Sequence, residues 1–137
     1  MNVLFKERKK MKKLFMFVMI SGLVSTSVFA GCEEMGGTLI STSNGTFCKS
    51  SIQLNWWSAY SWCKAGNMSM VTIYDACPTW DGRNSTCSNL TGKGTDQVWT
   101  STACTSATTA YSVNLNGSNV RCGYRNNDLN YAYAFCK

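Results

Sequence analysis

The chain has no histidine, one proline and little charge: 15% of its 137 residues are Asp, Glu, Lys or Arg. Without an imidazole there is no side chain that ordinarily titrates near neutral pH to serve as general base, and zinc loses its usual nitrogen ligand. Cysteine does not replace it, because none of the eight cysteines stands in a Cys-x-x-Cys spacing. Carboxylates are scarce as well. Beyond the N-terminal region they are Glu33, Glu34, Asp75, Asp81, Asp96 and Asp128, dispersed except for the first two. Glycoside hydrolysis needs two carboxyls facing each other across the scissile bond. Asp81 and Asp128 could meet in space, but nothing in the sequence marks them as a pair. The expectation is a protein that is not an enzyme and uses no cofactor.

What the chain does have begins with its N-terminal region. Lys12-Lys13 leads into the apolar run Leu14-Phe15-Met16-Phe17-Val18-Met19-Ile20, and Val28-Phe29-Ala30 places small residues where a leader peptidase reads. Residues 1–30 therefore read as a signal peptide cleaved after Ala30. Ser21, Gly22, Ser25 and Ser27 interrupt the apolar run, which is short for a membrane span. Met11-Lys12-Lys13 is a more ordinary start than Met1, so residues 1–10 read as an extension. The leader also owns the charge. The whole chain carries 13 basic and 7 acidic residues; subtracting six bases and Glu7 from the first 30 leaves seven basic and six acidic, net +1. No clustered positive charge remains for nucleic acid or an anionic membrane.

All eight cysteines lie beyond the leader. In an exported chain such an even set is most simply a disulfide framework in an oxidising space, periplasmic or extracellular. The alternative at the junction is a lipobox, Phe29-Ala30-Gly31-Cys32, which would acylate Cys32 and anchor the protein. Phe29 fits that motif poorly, and acylation would leave seven cysteines, an odd number. Secretion without an anchor is the reading taken. The remaining 107 residues make one domain with a modest core that cross-links must supplement.

Hydrophobic periodicity and turn chemistry then lay out the elements. Gly37–Ser41 and Thr46–Cys48 flank Ser43-Asn44-Gly45, a hairpin signal, and Cys32 and Cys48 are close enough in sequence to staple its ends. Asn55 caps a helix from Trp56 to Ala65, stopped by Gly66. Trp56, Ala59, Tyr60 and Cys63 recur at helical spacing and are expected to face the core, with Trp57 and Ser61 on another face. Thr72 caps a second helical turn through Ile73–Cys77, ended by Pro78. Residues 79–96 are turn-rich, bracketed in part by Cys77 and Cys87. Gln97–Thr102 reads as a strand, Tyr111–Leu115 and Val120–Tyr124 as a hairpin around Asn116-Gly117, and Tyr131–Cys136 as a closing strand. Two short helices, a long loop region and an antiparallel sheet make an α+β domain. Trp56, Trp62 and Trp99 fall at buried phases.

The run Trp57–Thr72, with Cys63 followed by Lys64, Gly66 and the apolar Met68-Ser69-Met70-Val71, resembles the first helix and following strand of C-type lectin-like domains. Trp99-Thr100-Ser101 sits where that family has its Trp-Ile/Thr-Gly/Ser strand, and Tyr131–Cys136 resembles its closing strand. Trp99–Thr102 followed by Ala110–Leu115 is similar to a bacterial secreted branch of the family. The likeness covers roughly residues 46–137, with the N-terminal hairpin matching the family's long form. It implies that residues 31–137 form one such domain, disulfide-stapled, with Cys63 bonded to Cys136. Proximity and strand order then suggest Cys104–Cys122, Cys77–Cys87 and Cys32–Cys48, although the sequence by itself leaves the pairing of eight cysteines open.

The resemblance also frames function. The family's calcium-dependent sugar binding uses a Glu-Pro-Asn or Gln-Pro-Asp loop and a Trp-Asn-Asp before the closing strand, oxygen ligands for a hard cation. Here the only proline lies in Cys77-Pro78-Thr79, and Asn126-Asn127-Asp128 lacks the tryptophan. Calcium-independent binding of a glycan or a surface protein is expected. The candidate face is the C-terminal region, variable in lectin-like receptor-binding scaffolds: Tyr124, Arg125, Asn126, Asn127, Asp128 and Asn130, with Arg121 and Tyr131 beside them. Such residues combine rigid aromatic area with adaptable hydrogen bonding. The plainer reading is that Tyr124 and Tyr131 pack in the sheet while the asparagines form turns. Trp80, with Asp81 and Arg83, extends the surface or folds inward to anchor its loop. The alternative function is a structural surface, envelope or pilus-associated component for which the fold is only a scaffold.

Overall fold

The computed structural model describes residues 27–83, 86–127, 129 and 131–137. The elements are α1 (Ser27–Glu34), β1 (Thr38–Thr42), β2 (Gly45–Leu54), α2 (Trp56–Ala65), α3 (Ile73–Ala76), a 3-10 turn (Ser88–Leu90), β3 (Gln97–Trp99), β4 (Thr109–Asn114), β5 (Val120–Tyr124) and β6 (Ala132–Cys136). The strands form one sheet of six in the order β1-β2-β6-β3-β4-β5. This is an α+β fold. Two particulars differ from expectation. The sheet is mixed, because β6 enters its centre between β2 and β3 and runs parallel to β3 through Val98↔Tyr133. A third helix, α1, crosses the junction at which the sequence places the end of the leader.

Local chemistry explains the elements that were expected. Thr42 and Gly45 close the first hairpin around Ser43-Asn44, with the Thr42 hydroxyl accepting from Asn44 N at 3.2 Å. The Asn55 side chain accepts from Ser58 N at 2.8 Å, so one orphan donor at the start of α2 is satisfied. Thr72 and Asp75 form a reciprocal capping box on α3, Thr72 N to Asp75 Oδ2 at 2.7 Å and Asp75 N to Thr72 Oγ1 at 3.0 Å.

The sheet is covered on both faces. On one, α2 lays Trp56, Ala59 and Cys63 over Trp99, Ala110, Ala132 and Ala134. On the other, Phe47, Val71, Ile73 and Leu90 pack with Val98, Val113, Leu115 and Phe135. Ser112, which alternation would turn to solvent, is therefore buried, and its hydroxyl accepts from Gln97 Nε2 at 2.9 Å. Two expectations for aromatic residues change, those for Tyr60 and Trp62. Tyr60 is at the exposed margin, stacked on Trp56 with centroids 5.5 Å apart, instead of facing the core. Trp62 is half-buried, not enclosed. Tyr124, on the edge strand, is 67% exposed.

Four disulfides hold these layers: Cys32–Cys48, Cys63–Cys136, Cys77–Cys87 and Cys104–Cys122. They are the pairs that the resemblance and strand order suggested. Cys32 is buried and its sulfur is bonded to Cys48, so the thiol that acylation requires is already committed. Among the described residues no helix is long and apolar enough to cross a membrane.

The C-terminal residue is tied down by an ion pair, Lys137 Nζ to Asp75 Oδ1 at 2.8 Å. Partial burial opposes ionisation of Asp75, but the hydrogen bonds from Lys137 and from the backbone and hydroxyl of Thr72 win and hold the carboxyl below its usual range. A depressed acid pKa contributes stability above the unfolded value, about 3.9, and that stability disappears as pH falls through the folded value. Melting temperatures measured from pH 6 to 2.5 should therefore drop more steeply for the natural chain than for Asp75→Asn below about pH 4. Parallel curves would show that this carboxyl is not coupled to folding.

Candidate functional site

The turn after β5 and the N-terminal end of α2 come together. Arg125 is the pin. Its guanidinium lies 4.1 Å from the Trp56 ring centroid, Nη2 donates to Ser101 O at 3.1 Å, and its backbone N–H donates to Thr108 O at 2.8 Å. Burial pushes the guanidinium below its ordinary pKa, though arginine stays cationic at neutral pH. Nε is buried with no hydrogen-bond partner among the described residues. Arg125 thus reads first as a clamp between turn and helix. Trp56 beneath it is fixed in turn, its indole N–H donating to Thr100 O at 2.8 Å.

That clamp presents Asn126 to Trp57. The Trp57 indole N–H donates to Asn126 Oδ1 at 3.0 Å, and the Trp57 ring stays 51% exposed, edge-on to both Trp56 and Tyr60. Asn127 turns inward on its own loop, its Oδ1 accepting from Leu129 N at 3.2 Å. Asp128 and Asn130 lie outside the described residues. Below Trp57 an open groove of about 490 Å³ runs along α2, lined by Met35, Leu54, Ser58, Ser61, Trp62 and Ala65.

The expected site is not one patch. Tyr124 shares the phase of Val120 and Cys122 on β5, which places it on the face opposite α2. Tyr131 packs instead on Trp99, with centroids 4.6 Å apart, as the plainer reading had it. Trp80 is half-buried on the Tyr124 side of the sheet, edge-on to Tyr111 at 4.8 Å and tilted against the exposed Tyr74 at 6.1 Å. It both anchors its loop and lines a cleft of about 150 Å³ with Cys77, Thr79, Asp81, Thr86, Cys87, Ser88 and Asn89. Among the described residues that lining contains one carboxylate, Asp81.

The sequence placed Trp57 off the core-facing stripe of its helix but did not name it as a site residue. Its position one residue after Trp56 turns it about 100° away from the buried stripe, and the neighbouring Ser58 and Ser61 were the available signal. Thr86, Ser88 and Asn89 carried no signal, since polar residues in a turn-rich stretch look alike whether or not they converge. Among the described residues no group of three or more His, Cys, Asp or Glu could hold a metal ion. No protein-family model, curated protein or solved structure matches this chain.

Proposed function

We propose that the chain is a secreted C-type lectin-like domain that binds a glycan or a surface protein, without catalysis and without calcium. The α+β fold, the helix cysteine bonded to the last strand, and the four disulfides support the reading. The observation that carries it is Trp57. A half-exposed indole, held by the Asn126 amide and backed by the Arg125–Trp56 stack, is a rigid aromatic surface beside a largely apolar groove that also carries Ser58 and Ser61. Such a surface loses little conformational entropy when a ligand docks.

A glycan array and a pull-down from surface extracts test the proposal. Trp57→Ala is expected to weaken binding about tenfold, equivalent to about 1.4 kcal/mol. Arg125→Ala should act in the same direction by releasing the turn, and EDTA should change nothing. Binding unaltered by Trp57→Ala would remove this surface from the proposal. Silence on every glycan, together with co-purification with pili or cell wall, would favour the structural alternative.

A further inference from the structure

The four bridges differ in access. Cys32, Cys48, Cys63 and Cys136 are fully buried, and Cys77 and Cys87 are 2% exposed. Cys122 is exposed and Cys104 half-buried. In thiol–disulfide exchange a thiolate must reach one sulfur of the bridge, so access ranks the four as substrates. We infer that Cys104–Cys122 is a redox switch for the Trp57 surface, opened by a dithiol reductant while the other bridges stay closed. This builds on the ligand-binding reading above and adds a means of regulating that site.

Position ties the bridge to the site. Cys122 lies on β5, an edge strand whose one hydrogen-bonded neighbour among the described residues is β4. Arg125 follows three residues later. Its two hydrogen-bond acceptors, Ser101 O and Thr108 O, flank Cys104 in the chain. The bridge therefore joins the two segments that Arg125 clamps, the 101–108 loop and the end of β5. One side of that loop is anchored to the core, with Ser101 N and Oγ both donating to Val71 O, at 2.8 and 3.2 Å. The other side closes on itself, Thr109 Oγ1 accepting from Thr105 N and Ser106 N at 3.1 Å each. Residues 105–108 are exposed. Exposed loops and singly paired strands open at the least cost, so a covalent tie between them decides how firmly they are held.

The exchange runs in two steps. A thiolate of the reductant attacks the Cys122 sulfur, the S–S bond breaks, and Cys104 leaves as a thiolate that takes up a proton. The second thiol of the reductant then attacks the mixed disulfide, which forms the reductant's own disulfide and releases Cys122 as a thiol. The reductant gives up two electrons and two protons, and the bridge receives them. The β5 end then keeps its β4 ladder, the two Arg125 hydrogen bonds and the stack on Trp56. With the turn loosened, Asn126 Oδ1 is no longer held at the Trp57 indole N–H. Reoxidation restores the contact, so the bridged chain is the binding form.

The test is a titration of the isotope-labelled chain with dithiothreitol, quenched by alkylation and mapped by peptide mass. Cys104 and Cys122 are expected to label about tenfold faster than the other six cysteines, in keeping with their access. At the reductant level that opens this pair alone, the NMR signals of the Trp57 indole and the Asn126 amide should shift, and reoxidation should return them. The amides around Cys63 and Cys136 should stay in place. Cys104→Ser combined with Cys122→Ser should give the reduced spectrum without reductant. Any glycan or surface protein captured by the bridged chain should bind about tenfold more weakly after selective reduction. Earlier labelling of another pair would overturn the switch, and so would unmoved Trp57 and Asn126 signals once Cys104 and Cys122 are reduced. Those signals are read without ligand, so a chain that shifts them yet captures nothing would keep the switch and remove the ligand-binding proposal.

Discussion

A chain carrying Cys63→Ala together with Cys136→Ala is expected to lose about 4.5 kcal/mol of stability, the largest loss among the four bridges. The bridge closes 73 residues, against 10, 16 and 18 for the others. In the chain-entropy picture, removing Cys77–Cys87 costs about 2.8 kcal/mol and each of the remaining pairs about 3 kcal/mol. Position adds to length. Cys63 and Cys136 are fully buried and join α2 to a central strand, so their removal also withdraws two sulfurs from the packed interface. Domains of this size are typically stable by only about 5–15 kcal/mol, so this double variant should stand near the threshold of folding while the loop clip is dispensable. Urea unfolding of the four double-alanine variants, each kept oxidised, ranks them directly. A midpoint for the Cys63/Cys136 variant no lower than that of the Cys77/Cys87 variant would show that the long closure is not the main constraint.

Legibility in the sequence followed locality. Asn55, Thr72, Gly66 and the Asn-Gly turns act on groups within a few residues, so caps and hairpins could be read directly. Helix phase was read less well. With about 100° per residue, Ala59, Trp56 and Cys63 define a stripe from whose centre Tyr60 lies about 70° away. That is the margin, where burial is decided by what packs opposite. The second cover of the sheet was harder still. Nothing near Thr100 says that the chain around Val71, more than 20 residues upstream, packs beside this strand, yet the Thr100 side chain is fully buried and hydrogen-bonded.

The candidate site shows the same boundary. Composition pointed to Arg125 and Asn126 as ligand-facing, and the turn is indeed on the surface. That Arg125 instead spends its cation on Trp56 and its N–H on Ser101 depends on residues 69 and 24 positions away. Asn126 meeting Trp57 is equally non-local. Tyr124 is the last residue of β5 and Arg125 opens the turn that follows, and their side chains go to opposite sides of the sheet. The split leaves two polar-aromatic surfaces on opposite faces, one around Trp57 and one around Trp80.

Replacing Trp99 by alanine should be the most damaging single substitution in the β3 region, at about 3–5 kcal/mol. The side chain is fully buried, its indole N–H donates to Leu54 O at 2.9 Å, and its ring faces Tyr131 at 4.6 Å. Truncation opens a cavity and strands the Leu54 carbonyl, itself a loss of about 1–3 kcal/mol. Trp99→Phe keeps most of the apolar area but not the donor, so it should cost less and remain folded for comparison. Tyr131 supplies an independent reading of the same contact. Its hydroxyl lies over Gly123, where a β-carbon would collide with it. Burial raises its pKa above 10, partly offset by the Arg121 charge. A raised acid pKa means stability that is present below the unfolded value and lost as pH rises through the folded one. Loosening Trp99 should let the Tyr131 phenol fall back toward its ordinary value, visible as an earlier phenolate transition in Trp99→Phe than in the natural chain. Because Tyr131 packs on Trp99 directly before β6, and Trp56 beside Trp57 belongs to the same core cluster as Trp99, the same variant should also weaken any ligand held at Trp57. An unchanged phenolate transition, or a Trp99→Ala loss below about 1 kcal/mol, would place the turn's support elsewhere than in this aromatic pair.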